Sequence, residues 1–135
     1  MAEIDASQAR RNNRIIWTTL LAAQVAYVAV VLSGLAQTRA EPLELPALPI
    51  ALAIVAIATG FGSHLCWRRA VVAGRPSGSE APKRSRSSTL YLVSWVLDES
   101  IAVYGLVLGI LAFDPLTWGP FSLGALVLTV LHRPL

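Results

Sequence analysis

The chain has 135 residues, 55% of them hydrophobic and 14% charged, with a formal net charge of +3. A soluble domain carries roughly 25% charged residues, and here the few charges crowd into the segments between long apolar stretches. This excludes an ordinary soluble globule and points to an all-α polytopic membrane protein. The single cysteine, Cys66, excludes an internal disulfide and any CxxC-type site.

Four stretches approach the ~20 mostly apolar residues that a helix needs to cross the hydrocarbon core. Residues 1–14 are polar and read as a short interfacial or frayed segment. The first span, about 15–35, has no charge, and Gly34 loosens its end. It exceeds the 7–15 apolar residues of a signal peptide, which makes it a retained anchor. The next segment carries Pro42, Pro46, Glu41 and Glu44 and reads as an outer loop. The second span, about 48–67, holds a run of small residues, Ala51, Ala53, Ala56, Ala58, Gly60 and Gly62. Small residues let membrane helices approach closely, because lipid offers no hydrophobic drive for association.

Residues 68–89 are basic and rich in Gly, Pro and Ser, and read as a flexible cytoplasmic loop. The third span, about 90–113, contains Asp98 and Glu99. Asp114-Pro115 and Gly119-Pro120 bracket a tight outer turn, and the fourth span, about 116–131, is the shortest. Of the eleven basic residues, Arg39 alone lies in a connection of the outer parity. The positive-inside rule therefore places both ends of an antiparallel four-helix bundle in the cytoplasm. The same rule accounts for the basic loop without nucleic-acid binding. The preference for Arg over Lys implies a high-GC bacterial genome, and hence a bacterial inner membrane.

Asp98 and Glu99 are the most informative residues. They fall near the centre of the third span, where a carboxylate costs ~2.5–3.5 kcal/mol on insertion scales and is by default a functional hypothesis. At 100° per residue, Asp98 shares a face with Ala102, Gly105, Gly109 and Ala112, whereas Glu99 lies with Val103, Leu106 and Ile110. The first face carries Gly105-x-x-x-Gly109, a close-packing pattern. Gln24, Ser63, His64 and Ser100 are polar partners in reach of such a pair. His64 and His132 sit near the cytoplasmic ends of their spans, where an interfacial role is expected of each. A bis-histidine haem or metal site is the sharper reading. Trp17 and Trp67 mark the inner interface and Trp118 the outer one, with Trp95 a turn deeper. There is no phosphate loop, HExxH or GxSxG motif, so neither an enzyme nor a bound cofactor is expected.

The run Asp98-Glu99-Ser100-Ile101-Ala102-Val103-Tyr104-Gly105-Leu106-Val107 resembles the ion-carrying helix of the c or K proteolipid subunit of rotary ATP synthases. Ala56-x-Ala58-x-Gly60-x-Gly62 is similar to that family's alternating small-residue motif, and Arg75-Pro76 to its loop. The resemblance covers about Ala51 to Pro115. It implies that Glu99 binds H⁺ or Na⁺, with Ser100 and Tyr104 near it. The chain departs from the family in its extra Asp98, its long loop, and one added span on each side of the hairpin. Three readings follow. The first is a membrane subunit or accessory factor that works by helix association with lipid, a second copy or a membrane complex. The second is a proton- or cation-handling protein centred on Glu99. The third is the bis-histidine protein.

Overall fold

The computed structural model describes residues 2–34, 46–74, 81–112 and 114–134. They form four helices, α1 (Ala2–Leu32), α2 (Ala47–Ala73), α3 (Ala81–Ala112) and α4 (Pro115–Leu131). α1 and α3 run one way and α2 and α4 the other. α3 packs against all three neighbours, and α4 lies beside it at the centre. α1 and α2 flank this pair, and among the described residues their backbones do not come close to each other. Stretches of α1, α2 and α3 are long and apolar enough to cross a membrane. α4 has 17 residues, a rise of about 25 Å at 1.5 Å per residue.

Two expectations about helix ends are corrected. The polar residues before position 15 are not a separate segment, because α1 begins at Ala2. The basic stretch 68–89 is largely helical as well: α2 continues to Ala73 and α3 begins at Ala81. Residues 75–80, with Arg75-Pro76, lie outside the described residues, as do those of the outer loop from 35 to 45. Packing explains the extension. Ala70 is fully buried, the Ser87 hydroxyl donates to its carbonyl at 2.9 Å, and Ser88 donates to Asn13 at 3.0 Å. Pro82 sits in the first turn of α3, where its missing N–H costs nothing.

The helix ends away from the basic stretch obey local rules. α1 stops at Leu32, and Gly34 takes the left-handed φ of 68° that ends helices at low steric cost. Asp114 caps α4: its carboxylate accepts from the Leu116 N–H at 3.1 Å and from the Thr117 hydroxyl at 2.7 Å. These two bonds hold the Asp114 carboxyl below its ordinary value. Pro115 follows at the first helical position. Gly119-Pro120 does not belong to the turn, because α4 runs straight through Pro120.

The small residues divide. A Cβ on Gly105 would lie 2.6 Å from the Ser122 hydroxyl and 3.1 Å from the Ser122 nitrogen, and one on Gly109 would lie 2.6 Å from Val31. These two glycines let α4 and α1 press on α3, so the pattern is used inside one chain rather than between copies. The α2 run is looser. A Cβ on Gly60 would meet Leu128 at 3.4 Å, one on Gly62 would meet Leu97 at 3.8 Å, Ala56 is half-buried, and Ala58 faces outward. Gly109→Ala is expected to cost about 1–3 kcal/mol by overpacking. Val31→Ala in the same chain should return much of that loss. Denaturant titration of the two single variants and the double variant in micelles checks the coupling.

Candidate functional site

α4 ends where the chain places its most polar core. α3 supplies Asp98 and Trp95, α2 supplies Ser63, and the residue after α4 is His132. Asp98 and Ser63 are 0% exposed, His132 and Trp95 1%. The Asp98 carboxylate meets His132 through Oδ2 and Nδ1 at 2.9 Å. Its other oxygen, Oδ1, accepts from the Ser63 hydroxyl at 2.6 Å. Ser63 Oγ also lies 3.0 Å from the Ser94 carbonyl and 3.2 Å from His132 Nδ1. A hydroxyl has one hydrogen, and the short contact assigns it to Asp98. Where the carboxylate is ionised it only accepts, and Nδ1 of His132 is then the donor on Oδ2.

The other edge of the His132 ring turns outward. Its Nε2 lies 3.4 Å from Nδ1 of His64, which is exposed. His132, His64 and Trp67 form a mutual ring contact, with centroids 5.4 to 5.7 Å apart and Trp67 stacked on His132. Asp98, His132 and His64 therefore form a line of acid-base groups running from a buried oxygen to an exposed nitrogen. Ser63, His132 and Asp98 do not make a nucleophilic triad. Such a triad needs the hydroxyl on the nitrogen opposite the carboxylate, whereas Ser63 and Asp98 both face Nδ1.

The other chemistry of this end is donor supply. The last carbonyls of a helix have no partner within it, and those of α4 fall in an apolar setting. Trp17 Nε1 donates to the Thr129 carbonyl at 2.8 Å, and the His132 N–H donates to Leu128 at 2.8 Å. Trp95 Nε1 donates to the carbonyl of His132 itself at 2.8 Å. Trp17 and Trp95 therefore bond inward to the end of α4, which the reading of Trp17 as an interfacial residue did not foresee. Gln24 is buried and donates to the Thr129 hydroxyl at 2.8 Å. Gln24 Oε1, Trp67 Nε1 and Glu99 Oε2 are buried without a hydrogen-bond partner.

The expected site residues separate accordingly. Asp98 and Ser63 come together, and Gln24 lies in the adjoining layer on Thr129. Glu99 is half-buried and turns toward Tyr27 of α1. Ser100 donates to its own helix at Val96, 2.9 Å away, and Tyr104 is half-buried elsewhere on α3. His64 and His132 do meet, but as neighbouring rings in hydrogen-bond contact, with Asp98 holding the far nitrogen. Among the described residues, no three His, Cys, Asp or Glu side chains converge on a point a metal ion would occupy. No protein family, characterised protein or solved structure is significantly similar to this chain.

Sequence reasoning missed His132 as the partner of Asp98. The signal was the length of α4: a helix of 17 residues that starts beside the end of α3 stops short of its base. At 1.5 Å per residue, its last turn comes level with Asp98, about 21 Å below Ala112. His132→Leu leaves Asp98 with Ser63 alone and is expected to lower stability by about 3 kcal/mol or more. Asp98→Leu combined with His132→Leu should cost clearly less than the sum of the single changes. Unfolding titrations of the two single variants and the double variant measure the difference, and additive losses would show that the pair is not coupled.

Proposed function

We propose that this chain is a multi-pass protein of a bacterial inner membrane that handles protons at the Asp98–His132 pair. The observation that carries the reading is the 2.9 Å contact between two groups that are both essentially unexposed. A buried ion pair is weak evidence for stability, since apolar replacements of the same volume are often neutral or better. An ionisable pair inside an apolar layer is by default a functional hypothesis. The proteolipid resemblance would put the ion on Glu99. Asp98 is favoured because it is the carboxylate with a histidine on one oxygen and a hydroxyl on the other.

The membrane frame has its own support. Trp17 to Leu32, Leu48 to Trp67, Trp95 to Ala112 and Pro115 to Leu131 each rise between about 22 and 29 Å, close to the ~30 Å hydrocarbon core. In this frame all four helices cross, and Asp98 lies about one turn (5 Å) inside the aromatic layer rather than at the midplane. Exposed Arg14, Arg68, Arg69 and Arg133 gather at the same end, which the positive-inside rule makes cytoplasmic. In a Cys66→Ala background, Ser79→Cys should react with an impermeant maleimide in inverted vesicles and Gln37→Cys in right-side-out ones. The reverse pattern would overturn the orientation.

The proton reading is tested by infrared titration of the purified protein in lipid nanodiscs between roughly pH 4 and 9. A protonated-carboxyl band should grow on acidification together with imidazole bands. Asp98→Asn should remove that carboxyl component, and Glu99→Gln should leave it. A titrating band that survives in Asp98→Asn and vanishes in Glu99→Gln would return the centre to Glu99.

A further inference from the structure

We infer that His64 is the mouth through which protons reach Asp98, and that the path has this one mouth. The site then takes up protons at the arginine-bearing end and returns them there. It senses acidity on one side of the membrane and does not conduct across it. This deepens the proposed function and rests on it.

The mouth follows from the ring order. His64 is exposed, its Nδ1 lies 3.4 Å from His132 Nε2, and His132 Nδ1 lies 2.9 Å from Asp98 Oδ2. Imidazole passes a proton by gaining one at one nitrogen and releasing one at the other. His64 first takes a proton from the aqueous phase and becomes an imidazolium; its Nδ1–H bond then breaks as an N–H bond forms at His132 Nε2, which leaves His64 neutral. The N–H bond at His132 Nδ1 then breaks as an O–H bond forms on Asp98 Oδ2. The reverse steps empty the site along the same line, so the His132 ring never has to turn over. This suits a ring held by Trp67 stacking on its face and by Trp95 bonding its carbonyl.

The groups facing His132 agree with this. α3 presents Asp98 and Trp95, and α2 presents Ser63, His64 and Trp67. On the α1 side, uncharged Trp17 and Gln24 bond the neighbouring Thr129. The cations of this end whose side chains are described, Arg10, Arg11, Arg14, Arg68, Arg69 and Arg133, are all exposed. An ionised Asp98 beside a neutral His132 carries one uncompensated charge. One proton neutralises the pair as a whole, whichever partner keeps it.

The closed end follows from the core. Above Asp98 lie Ile101, Ala102 and Ala125, with Tyr27, Ala56, Phe121 and Leu128 against them, and the Tyr27 hydroxyl is engaged by Glu99. Beyond these, Val31, Leu108 and Trp118 pack with Leu48, Leu52 and Leu106. Ser122 is buried in this half, but its hydroxyl is pressed against Gly105. Glu99 is next in sequence to Asp98, yet it turns to Tyr27 on another face of α3.

The test uses the full chain in lipid, with two readouts. In rapid-scan infrared after a pH jump, His64→Phe and His64→Gln should reach the wild-type Asp98 amplitude about tenfold or more slowly. Phenylalanine keeps the contact with Trp67, and glutamine keeps a hydrogen bond, so neither variant removes the fold's support. In liposomes loaded with a pH-sensitive dye and compensated for charge, the wild-type protein should leak protons no faster than empty liposomes. An unchanged rate in both His64 variants would overturn the mouth, and an Asp98-dependent leak would overturn the closed end. Absence of the Asp98 band in the wild-type protein would instead remove the proton reading on which both depend.

Discussion

A carboxylate placed in an apolar layer must find donors, and much of this structure is the answer to that demand at Asp98. Ser63 comes from α2 and His132 from the end of α4, so one side chain of α3 draws two other helices to the same level. α4 can approach because Gly105 lets Ser122 lie where a Cβ would stand, and α1 can approach because Gly109 does the same for Val31. The polar contact sets the register and the glycines set the separation. Neither would specify the packing alone, since a polar contact does not set how close the helices come and small residues do not set their register.

The position of α4 creates a second demand. A helix that stops short inside the bundle leaves buried carbonyls that need donors from the protein. Trp17 and Trp95 supply donors from two different helices. Their indoles are large enough to reach across the bundle and apolar enough to lie in it. Trp67 does something else. It stacks on His132 and keeps the imidazole edge-on between Asp98 and His64. Three tryptophans at one end thus also have partners at the end of a single helix.

Composition and charge made the helices legible, because the absence of charge over some 20 residues is a local property of the chain. Helix periodicity made the face of Asp98 legible too, and it brought Asp98, Ala102, Gly105 and Gly109 to the interior together. The partner was not legible. His132 lies 34 positions from Asp98, and no periodicity links the end of one helix to the middle of another. The extension of α2 and α3 through basic sequence was hidden for a similar reason. Polarity marks where lipid ends and says nothing about where a helix does. Ser87 meeting Ala70 is a packing event between two segments that each look like loop.

The adjacent carboxylates show how far local sequence carries a chemical argument. Side by side in sequence, Asp98 and Glu99 suggest a pair that shares a charge. On a helix they are rotated by about 100°, and the rotation gives them different surroundings. Asp98 is sealed, with a donor on each oxygen. Glu99 is half-buried toward Tyr27, with one oxygen covered and unpartnered. A carboxylate with two fixed donors is positioned to exchange a proton along a defined line, because its lone pairs are already committed in direction. Glu99 has the Tyr27 hydroxyl on its side chain and no second donor on Oε2. In the proposed reading the chemistry follows the residue that the helix turns inward, and the proton's route follows the histidine that α4 is just long enough to deliver.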